Sequence, residues 1–142
     1  MVSNARLRFR YDRLEWDLKM SEPRYSPLRG RRLLVVEDNY LIAADLVWQL
    51  ESSGAEFVGM AASVGEAHAI IEAEGNGLHG AILDVNLGSE RAFPVADTLI
   101  ARGIPFVFAT GYDQWVVPEP YAKIPRIEKP VRMAALIPLL LT

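Results

Sequence analysis

The chain has 142 residues, enough for one domain with a single buried core. Hydrophobic residues make up 51% of it and charged residues 23%, a balance that favours a packed interior over disorder. There is no cysteine, which excludes disulfides and thiolate metal sites, and the formal net charge of −3 argues against a nucleic-acid-binding module. No apolar run reaches the ~20 residues of a membrane span, and the start Met1-Val2-Ser3-Asn4 leads into arginines and acids, not a signal-peptide core. A cytoplasmic location is the expectation.

A break near residue 30 separates an N-terminal extension, 1–30, from a domain at 31–142. In the extension, Leu7, Tyr11, Leu14 and Leu18 form a helical stripe, while Arg6 to Tyr11 alternates like a strand. Pro23, Pro27 and Gly30 then interrupt any regular element. The segment reads as a loosely ordered extension, with Met20 an alternative start, or as a helix that docks on the domain or a partner.

From Arg31 onward strand and helix patterns alternate. Leu33-Leu34-Val35-Val36 is an unbroken apolar run ending at Glu37-Asp38, as suits a strand buried on both faces. Residues 39–53 read as a helix closed by Gly54. Glu56 to Ala61 is a second strand. Ser63 with Glu66 forms a capping box for a helix from Val64 to about Glu74. Gly80 to Leu83 is a third strand ending at Asp84. A helix over Glu90 to Arg102 follows, with Pro94 in its first turn and Gly103 as its stop. Phe106 to Ala109 is a fourth strand ending at Thr110, and Ile124 to Glu128 a fifth before Lys129-Pro130. Val131 to Leu141 is a final helix, with Pro138 as a kink point. The leucine run at its end reads as core before it reads as a binding face, and Trp48 reads equally as core or as a partner contact.

This order predicts an α/β fold, a doubly wound five-stranded parallel sheet with helices on both faces. Ligand sites in such sheets lie at the carboxyl ends of the strands. Glu37, Asp38, Asp84, Thr110 and Lys129 all fall there. Alone, each has an ordinary role as a turn former, helix cap or surface charge. Together they place three acids, a hydroxyl and a cation in one cleft. Crowded carboxylates raise one another's pKa, and a hard dication such as Mg²⁺ relieves them. The set suits phosphoryl transfer to a carboxylate, with Asp84 as nucleophile, Asp38 as a direct metal ligand, Glu37 acting through a bound water and the Asn86 carbonyl supplying a further oxygen. Phosphate-binding and dinucleotide-binding glycine motifs are absent after the first strand.

Leu34-Val35-Val36-Glu37-Asp38-Asn39, Ile82-Leu83-Asp84-Val85-Asn86-Leu87, Phe108-Ala109-Thr110-Gly111-Tyr112 and Glu128-Lys129-Pro130 together resemble the receiver domains of bacterial response regulators, over residues 32–141. The resemblance implies the flavodoxin-like receiver fold, Asp84 as phosphoacceptor, a Mg²⁺ pocket of Glu37, Asp38 and Asp84, phosphoryl contacts from Thr110 and Lys129, and a cis Lys129-Pro130 bond. Phe106 to Tyr112 resembles, more narrowly, the "FAT GUY" subgroup of stand-alone alphaproteobacterial receivers, often paired with histidine kinases of the HWE class. The implied role is a stand-alone response regulator, a signalling phosphoacceptor more than a metabolic enzyme. Its partners would be a sensor histidine kinase and a downstream protein or phosphotransfer protein, reached by gated contact, relay or sink, without nucleic acid or membrane. The alternative is a pseudo-receiver that binds a partner without phosphorylation.

Two departures from the family pattern stand out. Arg126 occupies the position, three residues before the lysine, where receivers carry an aromatic that couples to the threonine; Tyr112 or Phe108 is the candidate replacement. Between Thr110 and Lys129, Pro118, Pro120 and Pro125 preclude a full helix, since an interior proline costs about 3 kcal/mol. The expectation is a degenerate fourth helix of one short turn at most, in a segment that orders on phosphorylation or partner binding.

Overall fold

The computed structural model describes residues 26–111 and 117–141. The stripe at Leu7 to Leu18 and Tyr112 lie outside the described residues.

Strands β1 (Arg32–Val36), β2 (Glu56–Ala61), β3 (Gly80–Asp84), β6 (Phe106–Thr110) and β7 (Arg126–Glu128) form one sheet in the order β2-β1-β3-β6-β7, and every neighbouring pair is parallel. Two short strands, β4 (Asn86–Leu87) and β5 (Glu90–Arg91), pair antiparallel in a hairpin after β3. The helices are α1 (Tyr40–Ser52), α2 (Val64–Glu74), α3 (Phe93–Ala101) and α4 (Met133–Leu140). The expected doubly wound parallel sheet is the observed one.

The period of two along each strand divides the core. Leu34, Val36, Ala81, Leu83, Phe106 and Phe108 point to the face covered by Ala67 and Ile71 of α2 and Val95, Ala96 and Leu99 of α3. Leu33, Val35, Ile82, Val107, Ala109 and Ile127 point to the face covered by Ala43, Leu46 and Leu50 of α1 and Leu136 and Leu140 of α4. Leu28 is fully buried on this second face, and its N–H donates to the Ser53 carbonyl at 2.9 Å. Gly54 closes α1 at φ +97°; a Cβ there would lie 2.6 Å from the Ser26 Cβ, so glycine is required both by conformation and by space.

Helix starts follow local chemistry. The Asn39 side chain accepts from the Ile42 N–H at 3.1 Å and starts α1. Ser63 accepts from the Glu66 N–H at 3.1 Å, and the Glu66 carboxylate reaches back to the Ala62 N–H at 2.8 Å, one residue before the position expected of a strict capping box.

Several boundaries differ from the sequence expectation. The third helix begins at Phe93, not Glu90, because Glu90 and Arg91 pair with Leu87 and Asn86 in the hairpin. The fifth sheet strand is confined to Arg126–Glu128, and the last helix to Met133–Leu140. The first helix loses one residue at each end, Asn39 serving as its cap. The degenerate helix is observed as one 3₁₀ turn, Glu119–Tyr121. Val117, Tyr121 and Ile124 of that connection pack against the α2/α3 face of the core. Among the described residues no helix is long and apolar enough to cross a membrane.

Candidate phosphoacceptor site

Asp84 ends β3, the central strand, and is buried despite its charge. Glu37 follows the end of neighbouring β1 and is buried too; Asp38, next to it, is exposed. Carboxylate oxygens of Glu37, Asp38 and Asp84 lie within 4.8 Å of one another. Strand pairing explains the convergence. Val36 is opposite Leu83, so the residues immediately after each emerge side by side.

Lys129 arrives from the end of β7. Its ammonium donates to Glu37 Oε1 at 2.6 Å and to Asp84 Oδ2 at 2.9 Å. Its backbone N–H donates to the Thr110 carbonyl at 2.8 Å, and the Lys129-Pro130 bond is cis. The remaining carboxylate oxygens take backbone donors: Glu37 Oε2 accepts from the Asn39 N–H at 3.0 Å, Asp84 Oδ1 from the Asn86 N–H at 3.1 Å. Thr110, buried at the end of β6, lies one residue beyond Ala109, the register partner of Asp84. The structure thus gathers the expected Glu37, Asp38, Asp84 and Lys129 side chains and places Thr110 at the adjacent strand end. Asn86 sits beside them, half-buried, in β4.

The electrostatics are unbalanced in a useful way. Burial, reinforced by the charge of Asp84, pushes the Glu37 carboxyl above the ordinary carboxylate range, even though Lys129 and the Asn39 N–H pull it back. For Lys129, burial pulls the ammonium down, but its bonds to Glu37 and Asp84 and their charges outweigh it, and the net shift is upward. One ammonium shared between two carboxylates is well satisfied; the carboxylates are not. With Asp38 in the cluster, three acids face one cation. A hard, oxygen-seeking dication fits that deficit and that donor set.

The site opens onto a groove of about 450 Å³ lined by Leu41, Ile42 and Leu46 of α1 and by Pro130 and Val131, with Asp84 and Lys129 at one end. Sequence reasoning did not find this groove. Nor did it find Tyr121, whose ring stacks on Phe93 at 4.8 Å and meets Phe108 edge-on at 6.2 Å while its hydroxyl donates to Asp97 at 2.7 Å. Of the two candidates to replace the missing aromatic, Phe108 is fully buried in this cluster, and Arg126 is exposed.

No family model and no curated protein matches the chain. Solved structures do. SdrG from Sphingomonas melonis Fr1 is 40% identical, with 79% of this chain and 97% of that one covered and a TM-score of 0.70. The BeF3-activated conformation of SdrG, from Pseudomonas melonis Fr1, is 41% identical over 80% and 98% of the two chains, with a TM-score of 0.67. A response regulator receiver domain (CheY-like) from Methylobacillus flagellatus shares the fold at 23% identity, covering 78% and 96%, with a TM-score of 0.67. A parallel sheet with an acidic cluster and a lysine at its carboxyl edge is the arrangement seen here. On these similarities the chain belongs to the response regulator receiver domains.

Proposed function

We propose that the chain accepts a phosphoryl group on Asp84 from a partner histidine kinase, in a Mg²⁺-dependent reaction, and signals by protein contact or by passing the group on. The observation that carries this reading is the placement of Asp84: buried, at a strand tip, held by Lys129 at 2.9 Å, inside a cluster of three carboxylates whose oxygens suit a dication. An Asp84 oxygen attacks phosphorus in line, the bond to the donor histidine nitrogen breaks, and the imidazole leaves with that electron pair. Glu37, Asp38 and Asp84 would hold Mg²⁺, with the Asn86 carbonyl as a further oxygen. When bound, the ion offsets charge on the transferring phosphoryl oxygens. Lys129 moves its ammonium from Asp84 to the new phosphoryl group without leaving Glu37, and Thr110 supplies a hydroxyl from the adjacent strand end.

The α1 groove is where the donor docks. Tyr40, Leu41 and Trp48 are exposed at 68%, 78% and 67%, too much apolar surface on one helix to be left without a use. The run Phe106 to Tyr112 supports membership of the FAT GUY subgroup and a kinase of the HWE class. The chemistry is limited to the domain's own phosphorylation and dephosphorylation, as befits a signalling protein.

Beryllofluoride, which stands in for the phosphoryl group, tests this in the presence of Mg²⁺. Saturable amide shifts at Asp84, Thr110 and Lys129, absent in Asp84→Asn, are the expected result. Equal shifts in the variant, or none in wild type that still binds Mg²⁺, would remove Asp84 as acceptor.

A further inference from the structure

The phosphoacceptor reading uses Glu37, Asp38, Asp84, Thr110 and Lys129, and leaves the guanidinium of Arg91 without a role. Arg91 stands directly across the β4–β5 hairpin from Asn86. Its Nη1 donates to Asn86 Oδ1, and it makes no ion pair with a carboxylate among the described residues. An arginine spent on a neutral carboxamide is an unusual use of five strong donors.

The hairpin that carries the pair is firmly held. The Ala92 N–H donates to the Val85 carbonyl at 3.0 Å and closes its base. Glu90 accepts from the Val64 N–H at 3.0 Å and so caps α2. Gly88, at φ +70°, turns the loop over the acidic cluster; a Cβ there would lie 3.5 Å from Asp38 Oδ2. Asn86 is anchored at its other end by its N–H on Asp84 Oδ1, at 3.1 Å. Asn86 is therefore bonded to Arg91 through its side chain and to the phosphoacceptor through its backbone.

We propose, resting on the phosphoacceptor reading, that Arg91 is a positioning residue for phosphorylation. It commits the acceptor end of the Asn86 carboxamide, so that only N–H donors remain to face an incoming phosphoryl group. Donors suit phosphoryl oxygens; a freely rotating amide would present its oxygen to them half of the time and repel. Arg91 acts through Asn86, and its own charge is not the agent.

The test is phosphorylation of the full chain by phosphoramidate with Mg²⁺, followed by phosphate-affinity electrophoresis. In that reaction Asp84 attacks phosphorus, the P–N bond breaks, and ammonia leaves with the electron pair. Arg91→Ala and Asn86→Ala should each slow the saturated rate about fivefold, the worth of one oriented hydrogen bond. The half-saturating donor concentration should stay unchanged, and the double variant should be no slower than either single one. Arg91→Lys should recover part of the rate, and thermal melts of all variants should match wild type.

A wild-type rate in Arg91→Ala overturns the proposal. So do multiplicative effects in the double variant, or a change confined to half-saturation and abolished by salt, which is the mark of simple attraction between charges. Absence of labelling in wild type sinks the phosphoacceptor reading and this proposal with it; labelling of wild type but not of Asp84→Asn keeps that reading whatever Arg91 does.

Discussion

The two faces of the sheet are built from similar apolar strands but finished differently. On the α2/α3 face, Phe93, Phe106, Phe108 and Tyr121 interlock edge-on and stacked, and Val117 and Ile124 pack against the same core. An Arg102–Glu72 pair at 3.0 Å bridges α3 to α2. On the α1/α4 face, Leu46, Leu50, Leu136 and Leu140 are buried, yet Leu41 is exposed on an open groove, and Tyr40 and Trp48 of the same helix are exposed too. One face is closed by aromatic packing. The other keeps apolar side chains in water, the surface that the proposed donor docking would use.

Substitutions can break or sharpen that contrast. The largest effect is expected on the closed face. Phe108→Ala removes a fully buried ring at the centre of the aromatic cluster and should cost about 3–5 kcal/mol in urea unfolding. A loss below ~1 kcal/mol would mean that the cluster is looser than its geometry.

Next come Leu41→Ala and Trp48→Ala on the open face. Both side chains are mostly exposed, so stability should change by no more than about 0.5 kcal/mol. Phosphotransfer from the kinase should slow about tenfold, the size of a single interface anchor, while labelling by phosphoramidate stays constant. Equal loss with both donors would place these residues in the chemistry instead of the docking.

Tyr121→Phe is smaller. It removes one hydroxyl–carboxylate bond at the edge of the cluster and should cost at most about 1 kcal/mol. The same bond gives a pH signature. Donation to Asp97, with some burial and the charge of Asp97, raises the Tyr121 phenol above its ordinary value near 10. The fold holds that proton more tightly than the unfolded chain does. The contribution is therefore complete below pH ~10 and is lost as pH rises through the higher folded-state value. Urea midpoints of wild type and Tyr121→Phe should converge on the alkaline side; a gap that widens with pH would contradict the assignment.

Glu72→Gln should matter least. The pair with Arg102 is exposed, and its loss should stay within about 0.5 kcal/mol and vanish in high salt.

How much of this was readable beforehand varies by region. The buried strands were, because unbroken runs such as Leu33 to Val36 suit nothing else in a doubly wound sheet. The acids at strand ends were, because parallel topology forces those ends to one edge. The β4–β5 hairpin was legible in Gly88-Ser89 between two short flanks, a two-residue loop type with a glycine first. Helical periodicity downstream outweighed that signal and drew the third helix three residues too far forward.

The groove, the exposure of Trp48 and the stacking of Tyr121 on Phe93 were not legible. Each joins residues far apart in the chain, and hydropathy cannot say whether an aromatic on an amphipathic helix faces the sheet or the solvent.

Sequence alone determined the order of elements, the parallel sheet and the acids, threonine and lysine at its edge, because these follow from local periodicity and from the topology that periodicity requires. Only the tertiary structure decided that Lys129 is shared between Glu37 and Asp84, and that one face is sealed while the other is open. Those outcomes depend on distances between side chains brought together by folding, and no spacing along the chain encodes them.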